Sequence, residues 1–506
     1  MATAPEVRNP HPSLINADIA PTTDAERHWS VFNMASLWIG MVVCVPTYTL
    51  AAGLIEQGMS WWQAVGTIML GNCIVLVPMI LNGHPGTKYG VPFPVLARAS
   101  FGIQGAHIPS LLRALVACGW FGIQTWFGGF AIYQLLAGLI SSGVLPVPEA
   151  LNALSGLWMG DLPLLGVSGT ELLCFLFFWV LQIAIIYRGI ESIRILETVA
   201  APFLIGIGLA LLAWAYVAAG GFGAMLSTPS AFAEGGSKEG QFWSVFFPSL
   251  TAMVGFWATL SLNIPDFTRY AKSQRDQILG QAIGLPATMT LFAFISVAVT
   301  SATVVIYGEP VWDPTVLAGK MGGGVSVFVA LIALAIATLS TNIAANVVSP
   351  ANAIINLAPQ RFTFQLGGTI TAGIGLAILP WKLIESTDGY IFTWLIGYSA
   401  LLGPIGGILI ADYFILRKTE LDLDGLYQPQ GPYTYAKGFN LAAVLAFVIA
   451  VLPNVPGFAH QAGLLGDAAW LAPFDAIYTY AWFVGFGMAG ALYLIFMNLL
   501  PHESLK

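Results

Sequence analysis

Charge is scarce in this chain: 8% of its 506 residues are Asp, Glu, Lys or Arg, while 57% are hydrophobic, and the mean hydropathy is +0.78. Soluble domains carry about 25% charged residues, so a soluble globular protein is excluded and a polytopic membrane protein is implied. Cysteine is scarce as well. Cys44, Cys73, Cys118 and Cys174 all fall in apolar stretches with no metal-ligand spacing. They read as buried free thiols rather than a disulfide framework. Residues 1–28 are polar and lack an apolar run, so no cleaved signal peptide is expected and the first span should serve as its own insertion signal. Also missing are a nucleotide fingerprint and any polar stretch long enough to fold alone.

The apolar runs are poor in catalytic chemistry. Glu171, Glu197, Asp266 and Asp412 fall towards span ends, and no span carries paired carboxylates, a Ser–His arrangement or a metal-ligand cluster. An enzyme is therefore not expected. A charged substrate would want a counter-ion in hydrocarbon, and a proton relay would usually want a carboxylate or His; neither is evident.

What is present is a series of twelve apolar segments, each near the roughly 20 residues that cross a hydrocarbon core of about 30 Å. They lie at 30–54, 62–83, 111–141, 169–188, 196–218, 246–265, 281–306, 326–350, 364–381, 389–413, 438–455 and 475–499. Of the 18 Lys and Arg, only Lys238, Lys320 and Lys382 fall on the side opposite the N-terminus; the other 15, from Arg8 to Lys506, fall on the same side as it. That asymmetry places both termini in the cytoplasm, in a multi-pass protein of the plasma (inner) membrane. The expected division is a tail at 1–29, spans 1–5 in 30–218, spans 6–10 in 246–413, spans 11–12 in 438–499 and a tail at 500–506. GxxxG-like spacings are weak evidence of association in a chain with 55 Gly, and a monomer is expected.

Two spans carry helix breakers near their middles: span 1 has Gly40 and Pro46, and span 6 has Gly255 with Pro265 at its end. Both residue types free backbone polar groups at mid-membrane depth. Matched interruptions five spans apart suggest an inverted-repeat transporter with its site between the broken helices. Span 3 supplies Trp120 and Gln124, four apart and so on one helix face. Span 6 supplies Trp257 directly after Gly255 and Phe256, and span 8 supplies Asn346 in TLSTNIAANVVSP. Two indoles and two carboxamides suit a flat, neutral, polar ring: the indoles offer stacking area, and each amide offers one acceptor and two donors. The same span 8 stretch holds Ser340 and Thr341. With carbonyls from Ala337 and the broken part of span 1, they could hold a hard cation, which prefers oxygen ligands. The pattern leans towards Na⁺ coupling and leaves proton coupling open.

These residues resemble the nucleobase–cation symporter family 1, which includes hydantoin, allantoin, uracil, purine and cytosine permeases. The resemblance runs over about residues 28–440 and is carried by SLWIGMVVCVPTYTLAAGL, LLRALVACGWFGIQTW, GFWATLSLNIPDFTRYAKSQRDQ, LSTNIAANVVSPAN and LLGPIGGILIADYF. It implies an all-α, leucine-transporter-like fold in which spans 1–5 and 6–10 form an inverted repeat, with two additional helices. Trp120 and Trp257 would sandwich the heterocycle, with Gly255 and Phe256 beside them, while Gln124 and Asn346 would bond its amide edges. A Na⁺ site would comprise Gly40, Val43, Ala337, Ser340 and Thr341, and Leu395 falls where a bulky gate over the substrate is expected.

One departure matters. Cys44 stands where hydantoin- and allantoin-type members carry an amide, and a thiol is a poor hydrogen-bond partner, so substrate identity does not transfer from them. CVPTYTLAAGL and GWFGIQTW are closer to members associated with uracil and purine bases. The expected function is cation-coupled import of a nucleobase by alternating access. No cofactor is expected beyond the coupling ion, and no partners beyond substrate and bilayer, nucleic acid included. A hydantoin or allantoin permease is the near alternative, and a passive channel the distant one.

Overall fold

A long apolar segment in lipid has no water to satisfy its backbone, so it closes its own hydrogen bonds as a helix. This chain does so nearly throughout. The structure, a computed structural model, describes residues 7–141, 162, 165–188, 190–321, 324–384, 386 and 389–500. Lys506 and the rest of 501–506, residues 1–6, and the side chains of Arg194 and Glu197 lie outside the described residues. The only extended pairings among the described residues are two isolated bridges, Trp29 with Ala271 and Ala436 with Phe439.

The helices that position the site are α1 (Val31–Val42), α2 (Val45–Glu56), α3 (Trp61–Tyr89), α4 (Phe93–Phe101), α5 (His107–Ser141), α6 (Gly169–Arg188) and α7 (Ile190–Ala218). They continue as α8 (Phe242–Phe256), α9 (Ala258–Asn263), α10 (Gln274–Tyr307), α11 (Gly324–Leu357), α12 (Phe364–Ala377), α13 (Gly389–Leu416), α14 (Leu441–Gln461) and α15 (Ala481–Leu499). Eight described helices are long and apolar enough to cross a membrane, or nine if the bent pair α1–α2 counts as one span. Length alone therefore accounts for fewer crossings than the twelve expected. The span expected at 364–381 is shorter: α12 stops at Ala377, because Leu379 takes a left-handed φ of 55° and Pro380 has no N–H with which to continue the helix.

The expected interruptions are both present. α1 and α2 meet at 59° across Val43 and Cys44, which belong to neither helix. Pro46 sits in the first turn of α2, where N–H groups lack helical partners anyway, so the break falls just before it. In span 6 the break is Trp257 itself, between α8 and α9, at φ −101° and ψ 2°. α5 and α11 pack along most of each other's length, and both breaks face that pair.

The N-terminal segment is not a loose tail. Arg98 of α4, 1% exposed, donates to the carbonyls of Leu14 (3.0 Å) and Leu426 (2.8 Å) and to Asn356 Oδ1 (2.6 Å). Residues 7–29 are thereby tied to the end of α11 and to the segment after α13. Large apolar side chains such as Trp62, Val77, Phe177, Leu291 and Ile495 are half or more exposed on the outer faces of the helices. A soluble protein would bury them, but a bilayer covers them. The chain is a multi-pass membrane protein.

Candidate substrate and cation site

The elbow in span 1 rearranges its own hydrogen bonds. Cys44 N–H donates to Val42 O at 2.9 Å instead of reaching back a full turn to Gly40. The Gly40 carbonyl is taken by Thr341 Oγ1 of α11, which donates to it at 3.1 Å. The neighbouring residue of α11, Ser340, donates through its Oγ to Ala337 O one turn earlier at 3.1 Å. Ala337 packs with Val43 and Leu204. All five residues assigned from sequence to a cation site thus lie where the α1–α2 elbow meets α11. Their donors are hydroxyl and carbonyl oxygens, the ligand type a hard cation takes. Among the described residues no group of three His, Cys, Asp or Glu could hold a metal ion, so a cation here would rely on such neutral oxygens.

Beside this cluster the two breaks, α5 and α11 enclose a cavity of about 30 Å³. Met41 and Cys44 line it from the elbow, Trp120 and Gln124 from α5, Phe256, Trp257, Thr259 and Leu260 from the α8–α9 break, and Thr341, Ala345 and Asn346 from α11. Gln124 Oε1 and Trp257 Nε1 are buried with no hydrogen-bond partner. Buried polar atoms without partners are costly, so an acceptor and a donor left unpaired on two residues of the cavity wall single it out as a place for a polar guest. Cys44 Sγ instead bonds locally, 3.3 Å from Thr47 Oγ1.

The aromatic wall differs in detail from two indoles facing each other. Phe256 lies edge-on to both, with ring centroids 5.3 Å from Trp120 and 4.9 Å from Trp257. Trp257 also meets Trp38 edge-on at 5.3 Å. Phe256 thus shares the aromatic wall with the two indoles. Gly255 and Leu395 do not line the cavity. A Cβ on Gly255 would stand 2.9 Å from Leu395 O and collide with Ser399 Oγ. Gly255 therefore lets α8 press against α13, and Leu395, fully buried, lies at that contact.

Two groups of residues escaped the sequence reading. Tyr390, Trp394 and Tyr398 of α13 surround Trp120 at 6.1, 6.0 and 6.3 Å; their four-residue spacing put them on one helix face and was the available signal. Arg113, counted from sequence as a cytoplasmic-side charge, is 1% exposed. It donates to Thr259 O (3.0 Å), Asn263 Oδ1 (2.9 Å) and Ala345 O (3.4 Å), directly behind the cavity wall. Nothing in the sequence distinguished it from Arg269 or Arg275.

Comparison with known proteins gives one pattern. The family model for permeases of cytosine/purines, uracil, thiamine and allantoin matches residues 21–485. A purine-uracil permease of Arabidopsis thaliana is 50% identical over 97% of this chain and 79% of its own length. An allantoin permease of Bacillus subtilis is 40% identical over 97% and 95%. Among solved structures, the nucleobase-cation-symport-1 family transporter Mhp1, closed with bromovinylhydantoin bound, superposes with a TM-score of 0.76 at 25% identity, covering 97% of this chain and 98% of its own. A Na⁺-coupled sialic acid symporter at 12% identity and a TM-score of 0.64 shares the fold.

Proposed function

Because this chain belongs to the nucleobase–cation symporter family, the permeases for cytosine/purines, uracil, thiamine and allantoin, we propose that it imports a neutral nucleobase of the uracil or purine kind, coupled to Na⁺, by alternating access. It is a transporter, not an enzyme. The observation that carries the reading is a cavity between two helix breaks, lined by Trp120, Gln124, Trp257 and Asn346, two of which hold buried polar atoms without partners, Gln124 Oε1 and Trp257 Nε1. In this proposal Trp120 and Trp257 flank the ring with Phe256 beside them, and Gln124 and Asn346 bond its edges. Gly40, Val43, Ala337, Ser340 and Thr341 hold the ion, and Leu395 acts from α13 as the gate. Twelve spans, ten of them in a five-plus-five inverted repeat, and cytoplasmic termini complete the proposal.

Support for a base over a hydantoin or allantoin is the thiol of Cys44, which bonds Thr47 and offers little to a ureide. The 40% identity to an allantoin permease favours the second reading. Counter-flow uptake into proteoliposomes tests both. Labelled uracil, hypoxanthine, hydantoin and allantoin are compared with and without a Na⁺ gradient. Na⁺-stimulated uptake of a base is expected. Uptake of allantoin or hydantoin alone overturns the base assignment, and uptake that follows only the pH gradient overturns the sodium assignment.

A further inference from the structure

Behind Asn346 lies a buried polar chain that starts at a backbone carbonyl. Phe121 O can only accept, and it accepts from Thr125 Oγ1 at 2.6 Å and from Asn342 Nδ2 at 3.0 Å. Thr125 has one hydroxyl hydrogen and gives it to Phe121, so its oxygen accepts the 2.8 Å bond from Gln182 Nε2. Gln182 Oε1 is then left to accept from Asn342 Nδ2 at 2.7 Å. With the Asn342 amino group taken up by Phe121 O, Gln182 Oε1 and, at 3.3 Å, Thr125 Oγ1, its Oδ1 accepts from Asn346 Nδ2 at 2.9 Å. The order is forced at each step. Reversing any one amide sets oxygen against oxygen or amino group against amino group, and Thr125, Gln182 and Asn342 are all 0% exposed, where no water relieves the mismatch.

We infer that this relay fixes the polarity of the site: Asn346 presents its carbonyl oxygen to the cavity, and Thr125, Gln182 and Asn342 are positioning residues that hold it so. The inference rests on the proposed function and deepens it. Gln124 and Trp257 line the same cavity, and Gln124 Oε1 and Trp257 Nε1 have no partners of their own, so the walls hold two unpaired acceptors and one unpaired donor. The matching class is a heterocycle with ring N–H groups and a carbonyl, as in uracil and hypoxanthine. Cytosine and adenine, which turn a bare ring nitrogen and an amino group to the corresponding edge, match poorly. A buried acceptor meeting a bare nitrogen is the arrangement that recognition sites reject most strongly.

The experiment measures equilibrium binding of uracil, cytosine, hypoxanthine and adenine to the purified full chain by tryptophan quenching, with thermal shift as the check on folding. The parent should prefer each N–H base to its partner by tenfold or more. Asn342→Leu keeps the bulk but frees Asn346 to turn, so it should weaken uracil, strengthen cytosine and bring the ratio within about threefold. A gain for cytosine is something general structural damage does not produce. Thr125→Val should shift the ratio the same way, and Thr125→Ser, which restores the hydroxyl, should keep the parent's. A parent that binds cytosine and adenine as well as their partners overturns the inference, as do folded Asn342→Leu and Thr125→Val variants with an unchanged ratio. If the parent binds none of the four, the base reading itself falls and takes this inference with it.

Discussion

Trp257 combines two roles that are usually separate. It is the residue at which span 6 stops being helical, and it lines the cavity with its Nε1 unpaired. Trp257→Ala should weaken base binding by tenfold or more, since base–aromatic stacking is worth roughly 1–3 kcal/mol and about 1.4 kcal/mol is a factor of ten. Trp257→Phe keeps the ring and loses the N–H, so it should retain part of the affinity; quenching of the remaining indoles reads both variants. Composition pointed to these residues because Trp, Gln and Asn inside an apolar span need a reason to be there. What it did not show is that the missing Cβ of Gly255 permits the approach of α13, where a Cβ would meet Ser399 and Leu395. It also overlooked Arg113, because a long cationic side chain has the same letter in the sequence whether it reaches water or lies behind a cavity wall.

At the scale of elements, the elbow between α1 and α2 joins the two halves of the proposed mechanism. The Gly40 carbonyl, released by the break, is held by Thr341 across the interface with α11, and Cys44 on the same elbow lines the cavity. An ion that ligates these oxygens would fix the elbow's position and with it one wall of the substrate site. Thr341→Ala should therefore lower both the Na⁺ dependence of uptake and the apparent affinity for substrate, because coupling between two bound ligands is reciprocal. Uptake measured over a Na⁺ series at several substrate concentrations checks it; loss of one effect without the other contradicts shared coupling. Gly40 and Pro46 bracketed this elbow in the sequence. Its position at Val43–Cys44 was not legible, because Pro46 is accommodated in the first turn of α2 and moves the break outwards.

For the whole molecule, the helical class and the broken pair of spans could be read from apolar run lengths and breaker positions. Length alone does not count the crossings, because α12 stops at Ala377 and the break at Trp257 divides span 6 into α8 and α9. The proposed orientation, which rests on the charge asymmetry, is open to a direct test. Accessibility reporters at Lys272 and Lys418 should be labelled from the cytoplasm alone, and reporters at Lys238 and Lys320 from outside alone; a site at 238 labelled only from within would reverse the assignment.

Those same counts treat Arg98 as a cytoplasmic charge, whereas it is the centre of a buried knot. Its three partners, Leu14, Asn356 and Leu426, lie 84, 258 and 328 residues away along the chain. During synthesis Leu14 emerges before Arg98, but Asn356 and Leu426 follow only when most of the helices have been made. Until then the guanidinium lacks two of its three acceptors and cannot be buried without a large penalty. The knot around Arg98 must therefore close last, after α11 and α13 have arrived, so the chain cannot finish folding in the order in which it is made. A chain cut before residue 426 has no way to complete the knot.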